Sequence, residues 1–198
     1  MELLLALCLF VFSTAVTPGP NNILLMSSGV NFGFRRSLPL ISGICIGFPS
    51  MVLAVGLGLS EVFQRLPLMH TTIKTLGIAY LLYMAYRLAA SSSRIETRKR
   101  SKPLGFFQAA AFQWVNPKAW VMAIGAMGAF TRMNEALTPQ VLTISAVFFC
   151  IGVPTALLWL GLGVSLKRLL DKPHRQQRFN LAMAALLVLS IIPIILPD

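Results

Sequence analysis

Acidic residues are scarce in this sequence, and none lies within a long apolar run. Only 6 of the 198 residues are Asp or Glu, and 12% of the chain is charged against 56% hydrophobic. A soluble domain of this length would need a larger polar surface. Acid–base catalysis inside the apolar part is also disfavoured, because no carboxylate is available there to carry a proton.

Histidine and cysteine are sparse as well, with 2 and 3 residues. Cys8, Cys45 and Cys150 all fall in apolar segments without the spacing of a metal site or a disulfide framework, which predicts small buried hydrophobes. No Ser–His pairing or glycine-rich phosphate loop stands out. We therefore expect no catalytic residue, no metal and no cofactor, and a protein that is not an enzyme.

The apolar residues form six blocks, each about 20 residues or longer. They cover about 3–30, 37–60, 67–90, 105–131, 139–165 and 178–197. Crossing about 30 Å of hydrocarbon takes about 20 helical residues, so the pattern predicts an all-α polytopic protein in the lipid bilayer. The letters STA at 13–15 resemble a signal cleavage site. The chain nevertheless starts with Glu2 rather than a basic region, which favours a retained first span.

The basic residues alternate between the connections of these blocks. The connections at 31–36, 91–104 and 166–178 hold twelve Lys and Arg, whereas those at 61–66 and 132–138 hold only Arg65 and Arg132. This is the positive-inside pattern, which places the basic loops in the cytoplasm and both termini in the periplasm. The net charge of +11 therefore indicates membrane topology rather than a nucleic-acid partner.

An internal repeat relates the second and fifth blocks. CIGFPSMVLAVGLGLS at 45–60 matches CIGVPTALLWLGLGVS at 150–165 at nine of sixteen positions. A repeated three-span unit enters the membrane upside down the second time. We expect one transporter domain, 1–198, with pseudo-repeats at about 1–90 and 105–198 joined by loop 91–104, and Pro49 and Pro154 as matched hinges. Kinked helices with small packing faces would explain each stretch alone, but not their similarity.

Two spans contain residues that interrupt helices. The first carries TPGPNN, namely Thr17, Pro18, Gly19, Pro20, Asn21 and Asn22, and the fourth carries Asn116 and Pro117. Broken helices survive in a bilayer only where protein or a cavity surrounds them. Asn116 fits an N-cap with Pro117 at the first helical position, and such a start offers free N–H groups to a carboxylate. The breaks could also be simple kinks.

Lys118 follows the second break inside a span, where a charge is costly and usually functional. A substrate carboxylate would compensate it, although a lysine that extends to the headgroups is the alternative. Two further candidates lie in the third span. Tyr80 is deep enough to reach a cavity, and His70 is a candidate for proton coupling, although an interfacial position also explains His70.

With these residues assembled, the chain resembles the LysE/RhtB family of bacterial amino-acid exporters. The resemblance rests on TPGPNN at 17–22, GFRRS at 33–37, NPKAW at 116–120 and the six-span length, and it covers essentially the whole chain. Within the family it is most similar to the cysteine and O-acetylserine exporter branch. The resemblance implies that the residues of these motifs are important for the function. They are Pro18, Gly19, Pro20, Asn21, Asn116, Pro117 and Lys118.

The family resemblance implies a secondary transporter of the inner membrane that exports amino acids or their derivatives. Cysteine-like, O-acetylserine-like or neutral amino acids are the expected substrates, with proton antiport and alternating access as the mechanism. A channel, or an ion- or lipid-handling membrane protein on the same inverted repeat, is the alternative. Small residues such as Gly56 and Gly161 can pack helices within one protomer or in a homodimer, so both assemblies stay open.

Overall fold

The protein is all-helical throughout the described part of the chain. The computed structural model describes residues 2–59, 67–90, 102–132, 135–170 and 172–192. In these ranges there are eight α-helices and no strand. They are α1 (Glu2–Val16), α2 (Pro20–Phe32), α3 (Leu38–Ala54), α4 (Pro67–Ala90), α5 (Phe106–Val115), α6 (Pro117–Phe130), α7 (Leu137–Leu169) and α8 (Pro173–Leu189). The predicted fold class is confirmed at this level.

Membrane-spanning length is reached by a subset of these helices. Arg35–Gly58, with 24 residues, and Leu137–Leu169, with 33, are long and apolar enough to cross a bilayer. Helices α1 and α2 qualify together as a third candidate, bent by 52° at their junction. The described residues therefore contain two or three candidate spans, and the six-span count of the sequence stays a prediction.

Both predicted interruptions occur as helix ends. Helix α1 ends at Val16 and α2 begins at Pro20, while α5 ends at Val115 and α6 begins at Pro117. The second interruption is shorter, with only Asn116 between the two helices. Proline at the first position of α2 and of α6 loses no intrahelical bond, because the first N–H groups of a helix have no partner there. The prolines therefore start new helices rather than bend continuous ones.

Two other prolines lie inside helices that continue past them. Pro49 is within α3 and Pro154 is within α7. Each removes one backbone donor, so the carbonyl four residues earlier loses its usual partner. The side chain of Ser145 in α7 donates to the carbonyl of Pro49 at 2.9 Å and ties the two helices together there.

Helix α7 is the centre of the packing. It contacts α1, α2 and α3, while α3 also packs on α5, and α4 packs on α8. Helices α2 and α7 cross backbone to backbone, since a Cβ on Gly29 would lie 2.5 Å from the Leu160 carbonyl and one on Gly163 would meet the Met26 carbonyl. Glycine is therefore required by space at this crossing.

Charged residues mark the two ends of the helices. Gln176, just beyond α7, donates to Asn31 near the end of α2 at 2.9 Å, so these two helix ends lie together. This end carries the basic residues of the 3₁₀ turn Arg35–Ser37, and Lys167 and Arg168 of α7. The junction before α7 holds the ion pair of Arg132 with Glu135 at 2.9 Å. One end is therefore strongly basic.

Candidate functional site

The end of α1 is closed by side chains of the TPGPNN motif. The hydroxyl of Thr17 donates to the carbonyl of Thr14 at 2.8 Å, which is the carbonyl that Pro18 leaves without its helical donor. The amide of Asn22 reaches back across the break and donates to the carbonyls of Ala15 and Thr17, both at 2.9 Å. Asn22 therefore closes the preceding helix rather than opening its own.

The start of α6 has the predicted capping geometry. The side-chain oxygen of Asn116 accepts a hydrogen bond from the backbone N–H of Lys118 at 3.2 Å, and Pro117 occupies the first turn. The backbone N–H of Asn116 donates to the Gln113 carbonyl at 3.3 Å, so the carbonyl exposed by Pro117 has a partner. The predicted N-cap at Asn116 is confirmed, and its side chain is only 1% exposed.

Lys118 connects the two breaks. Its ammonium lies 2.7 Å from the carbonyl oxygen of Thr17, 2.8 Å from the Thr17 hydroxyl and 3.4 Å from the carbonyl of Pro18. These oxygens stand at the C-terminal end of α1, where the helix dipole is negative and favours a cation. The charge that is unfavourable at the start of α6 is thus balanced by the end of α1.

Gly19 provides the space for this contact. A Cβ at Gly19 would lie 2.7 Å from Cδ of Lys118 and 3.1 Å from its ammonium nitrogen. The φ of −171° at Gly19 is extended backbone that any residue adopts. Glycine is therefore needed here because of the lysine and not because of the backbone conformation.

A second link between the breaks is a pair of amides. Asn21 donates to the side-chain oxygen of Gln113 at 2.8 Å, and Gln113 donates back to Asn21 at 3.2 Å. Gln113 also donates to the carbonyl of Ala109 at 2.9 Å and is 0% exposed. The first turn of α2 is therefore fixed to the last turn of α5.

A cavity of about 70 Å³ opens beside these contacts. This volume holds a few water molecules, and so suits a small solute. The polar side of the lining comes from the breaks and from α7, and the apolar side from the packed core. The lining residues are Thr14, Ala15, Gly19, Asn21, Asn22, Leu25, Ile44, Phe48, Asn116, Lys118, Ala119, Met122, Phe148, Gly152, Thr155 and Ala156.

Two apolar clusters contribute side chains to the lining of the cavity. On one side Met122 and Phe148 belong to a core of α1, α3, α6 and α7. On the other side Leu25, Ile44 and Ala156 belong to a core of α2, α3, α5 and α7. The cavity therefore has a mostly apolar lining with a few polar groups from the two breaks, and a buried polar solute would need full hydrogen bonding there.

The predicted site residues lie at different distances from the cavity. Gly19, Asn21, Asn22, Asn116 and Lys118 line the cavity, whereas Thr17 and Pro18 contact it through the lysine. Pro20 and Pro117 start the helices beside it, and Pro49 and Pro154 lie within helices α3 and α7.

Tyr80 is outside the cavity lining. Its ring packs against Phe112 at 5.5 Å and Tyr83 at 6.3 Å between centroids, in the core that α4 shares with α5 and α8. His70 falls within α4, but its side chain lies outside the described residues. No group of three His, Cys, Asp or Glu side chains that could hold a metal occurs in the described ranges.

Sequence reasoning missed two polar residues of the site. Gln113 is a polar amide inside an apolar span, three residues before Asn116. This position could have identified it as a site residue. Thr155 lines the cavity directly after Pro154, at the position that the repeat aligns with Ser50. A hydroxyl after each matched proline was visible in the repeat itself.

Comparison with known proteins agrees with the motifs. A family model described as LysE type translocator matches residues 12–192. The chain is 32% identical over 187 residues to proteins named "Cysteine/O-acetylserine efflux protein" from Escherichia coli (strain K12) and Salmonella typhi, a match that covers 94% of this chain and 94% of each relative. No solved structure matches the chain significantly.

Proposed function

Because this chain belongs to the LysE family of translocators, we propose that it exports amino acids or amino-acid derivatives from the cytoplasm. The name of the relatives makes cysteine, O-acetylserine and similar neutral amino acids the first substrates to test. The observation that carries the proposal is the small cavity at which two helix breaks present a cation and three asparagines beside apolar side chains. An amino acid needs such a combination of opposite polar groups within a short distance.

The substrate-binding residues in this proposal come from both breaks. The ammonium of Lys118, in the first turn of α6, attracts the substrate carboxylate. Carbonyl oxygens of the first break, together with Asn21, accept from its ammonium group. The prolines and Gly19 shape the breaks. The full set is Thr17, Pro18, Gly19, Pro20, Asn21, Asn22, Asn116, Pro117 and Lys118.

The architecture in this proposal is six spans in two inverted repeats, in the bacterial inner membrane. The helix contacts support it: α1 packs on α7, and α5, its counterpart in the second repeat, packs on α3, the counterpart of α7. The basic end of the helices would face the cytoplasm, and both termini the periplasm.

Transport would follow alternating access, with one repeat rocking against the other around the cavity. Pro49 and Pro154 are the matched bending points, and the bond from Ser145 to the Pro49 carbonyl couples one bend to the opposite repeat. Proton antiport is the proposed driving force. Lys118 is the only ionisable side chain among the described residues that line the cavity, which makes it the first candidate for the proton step.

The test is flux from proteoliposomes that contain the full chain. Vesicles are loaded with labelled cysteine, O-acetylserine or another neutral amino acid, and efflux is measured with and without a pH gradient. We expect saturable, stereoselective flux that the gradient accelerates and that Lys118→Ala abolishes. Lys167→Ala is the matched control, because Lys167 is an exposed lysine at the basic end of α7.

Other outcomes separate the rival function. Flux that rises linearly with concentration and does not distinguish L- from D-amino acids would indicate a channel. The absence of flux for every amino acid would reject amino-acid export and favour an ion- or lipid-handling role.

A further inference from the structure

Lys118 occupies a site that is built for an ammonium group. A lysine ammonium has three N–H donors and no acceptor. Here it meets three neutral oxygens, the carbonyl and hydroxyl of Thr17 and the carbonyl of Pro18, at 2.7, 2.8 and 3.4 Å. The Thr17 hydroxyl donates its hydrogen to the Thr14 carbonyl at 2.8 Å, so its oxygen lone pairs can accept from the ammonium of Lys118.

The α-ammonium of an amino acid matches this site in charge, in number of donors and in size. We propose that the oxygens of Thr17 and Pro18 form the ammonium subsite of the substrate, and that Lys118 fills this subsite when no substrate is bound. The inference rests on the proposed function and adds a step to it. The amino acid and the lysine exchange partners: the substrate ammonium takes the oxygens of the first break, and the substrate carboxylate takes the lysine.

The surroundings allow this exchange. Lys118 lines the cavity, and Thr17, which accepts from its ammonium, is exposed, so the subsite is reachable by a solute. The lysine is half-buried and no Asp or Glu occurs among the described lining residues. A carboxylate that enters the cavity is therefore the strongest available partner for the displaced ammonium.

Partner exchange makes the site selective for zwitterions. A simple amine would displace Lys118 and leave the lysine charge without a partner, which is costly away from water. A simple carboxylic acid would attract the lysine and leave the Thr17 and Pro18 oxygens without their cation. Only a molecule with both groups compensates both sides of the exchange.

The experiment compares three related ligands on the full-length protein in detergent under a reductant. L-cysteine carries both groups, cysteamine lacks the carboxylate and 3-mercaptopropionate lacks the ammonium. Binding is measured by calorimetry for the wild type, Lys118→Ala and Lys118→Met, with Lys167→Ala as the control. The unfolding midpoint of each protein reports its folding. Lys118→Met keeps an apolar stem, and it replaces Lys118→Ala if the alanine variant does not fold.

We expect the wild type and Lys167→Ala to bind L-cysteine and to bind cysteamine at least about tenfold more weakly. In the Lys118 variants the order reverses, because the subsite is vacated: cysteamine gains about tenfold and L-cysteine loses about tenfold. The gain for cysteamine is the decisive result, since a lysine that only binds carboxylates would leave cysteamine binding unchanged.

Two results overturn the inference in distinguishable ways. If the wild type binds L-cysteine and the Lys118 variants show no gain for cysteamine, the exchange is wrong and the proposed function stands. If the wild type does not bind L-cysteine and transports no amino acid in the flux test, the proposed function fails and the inference fails with it.

Discussion

The ammonium of Lys118 lies 2.7 Å from the carbonyl oxygen of Thr17, across 101 positions of sequence. Lys118 lies in the first turn of α6, and Thr17 follows the end of α1. A cation near the start of a helix is repelled by the dipole of that helix, and a cation at the end of a helix is attracted. The negative end of α1 therefore compensates the unfavourable position of the Lys118 charge in α6. A substitution at one break should change the position of the side chains at the other.

Substitution at Gly19 tests this dependence without touching the lysine. In Gly19→Ala the new Cβ would lie 2.7 Å from Cδ of Lys118, so the flexible side chain must move away from Thr17. We expect transport of the best substrate to fall by about tenfold or more, because the lysine is displaced from the position at which it receives the substrate carboxylate. The free energy of unfolding should change by less than about 1 kcal/mol, since no backbone atom is displaced.

The control for this variant is Gly128→Ala, where an added Cβ meets nothing within 4 Å. Efflux and thermal unfolding are measured for both. Normal efflux by Gly19→Ala would show that the contact between Lys118 and Thr17 is dispensable for transport.

The crossing of α2 and α7 gives a stability prediction with a control on the same helix. A Cβ on Gly163 would collide with the carbonyl of Met26, and backbone cannot move aside as a side chain can. We expect Gly163→Ala to destabilise the protein by about 1–3 kcal/mol, as overpacking does. Gly161→Ala meets nothing within 4 Å and should stabilise α7 by up to about 1 kcal/mol through helix propensity.

Denaturation in mixed detergent micelles measures both variants. Equal stability of the two would mean that α2 and α7 separate easily at this crossing, and that the glycine is not required by space.

Local chemistry made the breaks and their caps predictable from sequence. Proline and asparagine act on the helix in which they lie, so the Asn116 cap and the helix start at Pro117 follow from neighbouring residues alone. The third apolar block, 67–90, coincides with α4. Block edges were less accurate where helices continue beyond the apolar part: α7 extends to Leu169 and α8 begins already at Pro173.

The partners of Lys118 could not be predicted, for a physical reason. Its acceptors are backbone carbonyls and one hydroxyl on a distant segment, and a carbonyl has no residue-type signature in a sequence. Residue types in a sequence identify side chains and not backbone contacts, so the sequence suggested a carboxylate as the partner of Lys118. The repeat likewise aligned Gly58 with Gly163, yet Gly58 has a φ of +110° and Gly163 lies in a tight helix crossing. Two glycines that the sequence match aligns therefore have different surroundings.

The amide contact at the basic end gives a local prediction. Gln176 in the first turns of α8 donates to Asn31 of α2 at 2.9 Å, whereas the adjacent Gln177 is exposed. Interhelical hydrogen bonds in membrane proteins contribute about 0.6 kcal/mol on average. We expect Gln176→Ala to accelerate amide hydrogen exchange in the first turns of α8 by about threefold, which corresponds to that free energy. Gln177→Ala should leave the exchange rates unchanged, and equal acceleration in both variants would reject the contact.

The reciprocal amide pair of Asn21 and Gln113 should couple the two breaks energetically. The pair joins the first turn of α2 to the last turn of α5 through two hydrogen bonds of 2.8 and 3.2 Å. A double-mutant cycle with Asn21→Ala, Gln113→Ala and the double variant isolates their interaction. We expect a coupling free energy between about 0.6 and 1.7 kcal/mol, the average and the upper end for such bonds in membrane proteins.

Gln113→Ala alone should be the more harmful single change, because Gln113 is fully buried and also holds the Ala109 carbonyl. Asn21→Ala leaves Gln113 with that second bond, and therefore loses less. The cycle is measured as free energy of unfolding in mixed micelles. Asn21 and Ser42 form the control pair, since the Ser42 hydroxyl donates within α3, to the carbonyls of Leu38 and Pro39. Strict additivity for Asn21 and Gln113, as for the control pair, would mean that the amide pair does not couple the two breaks energetically.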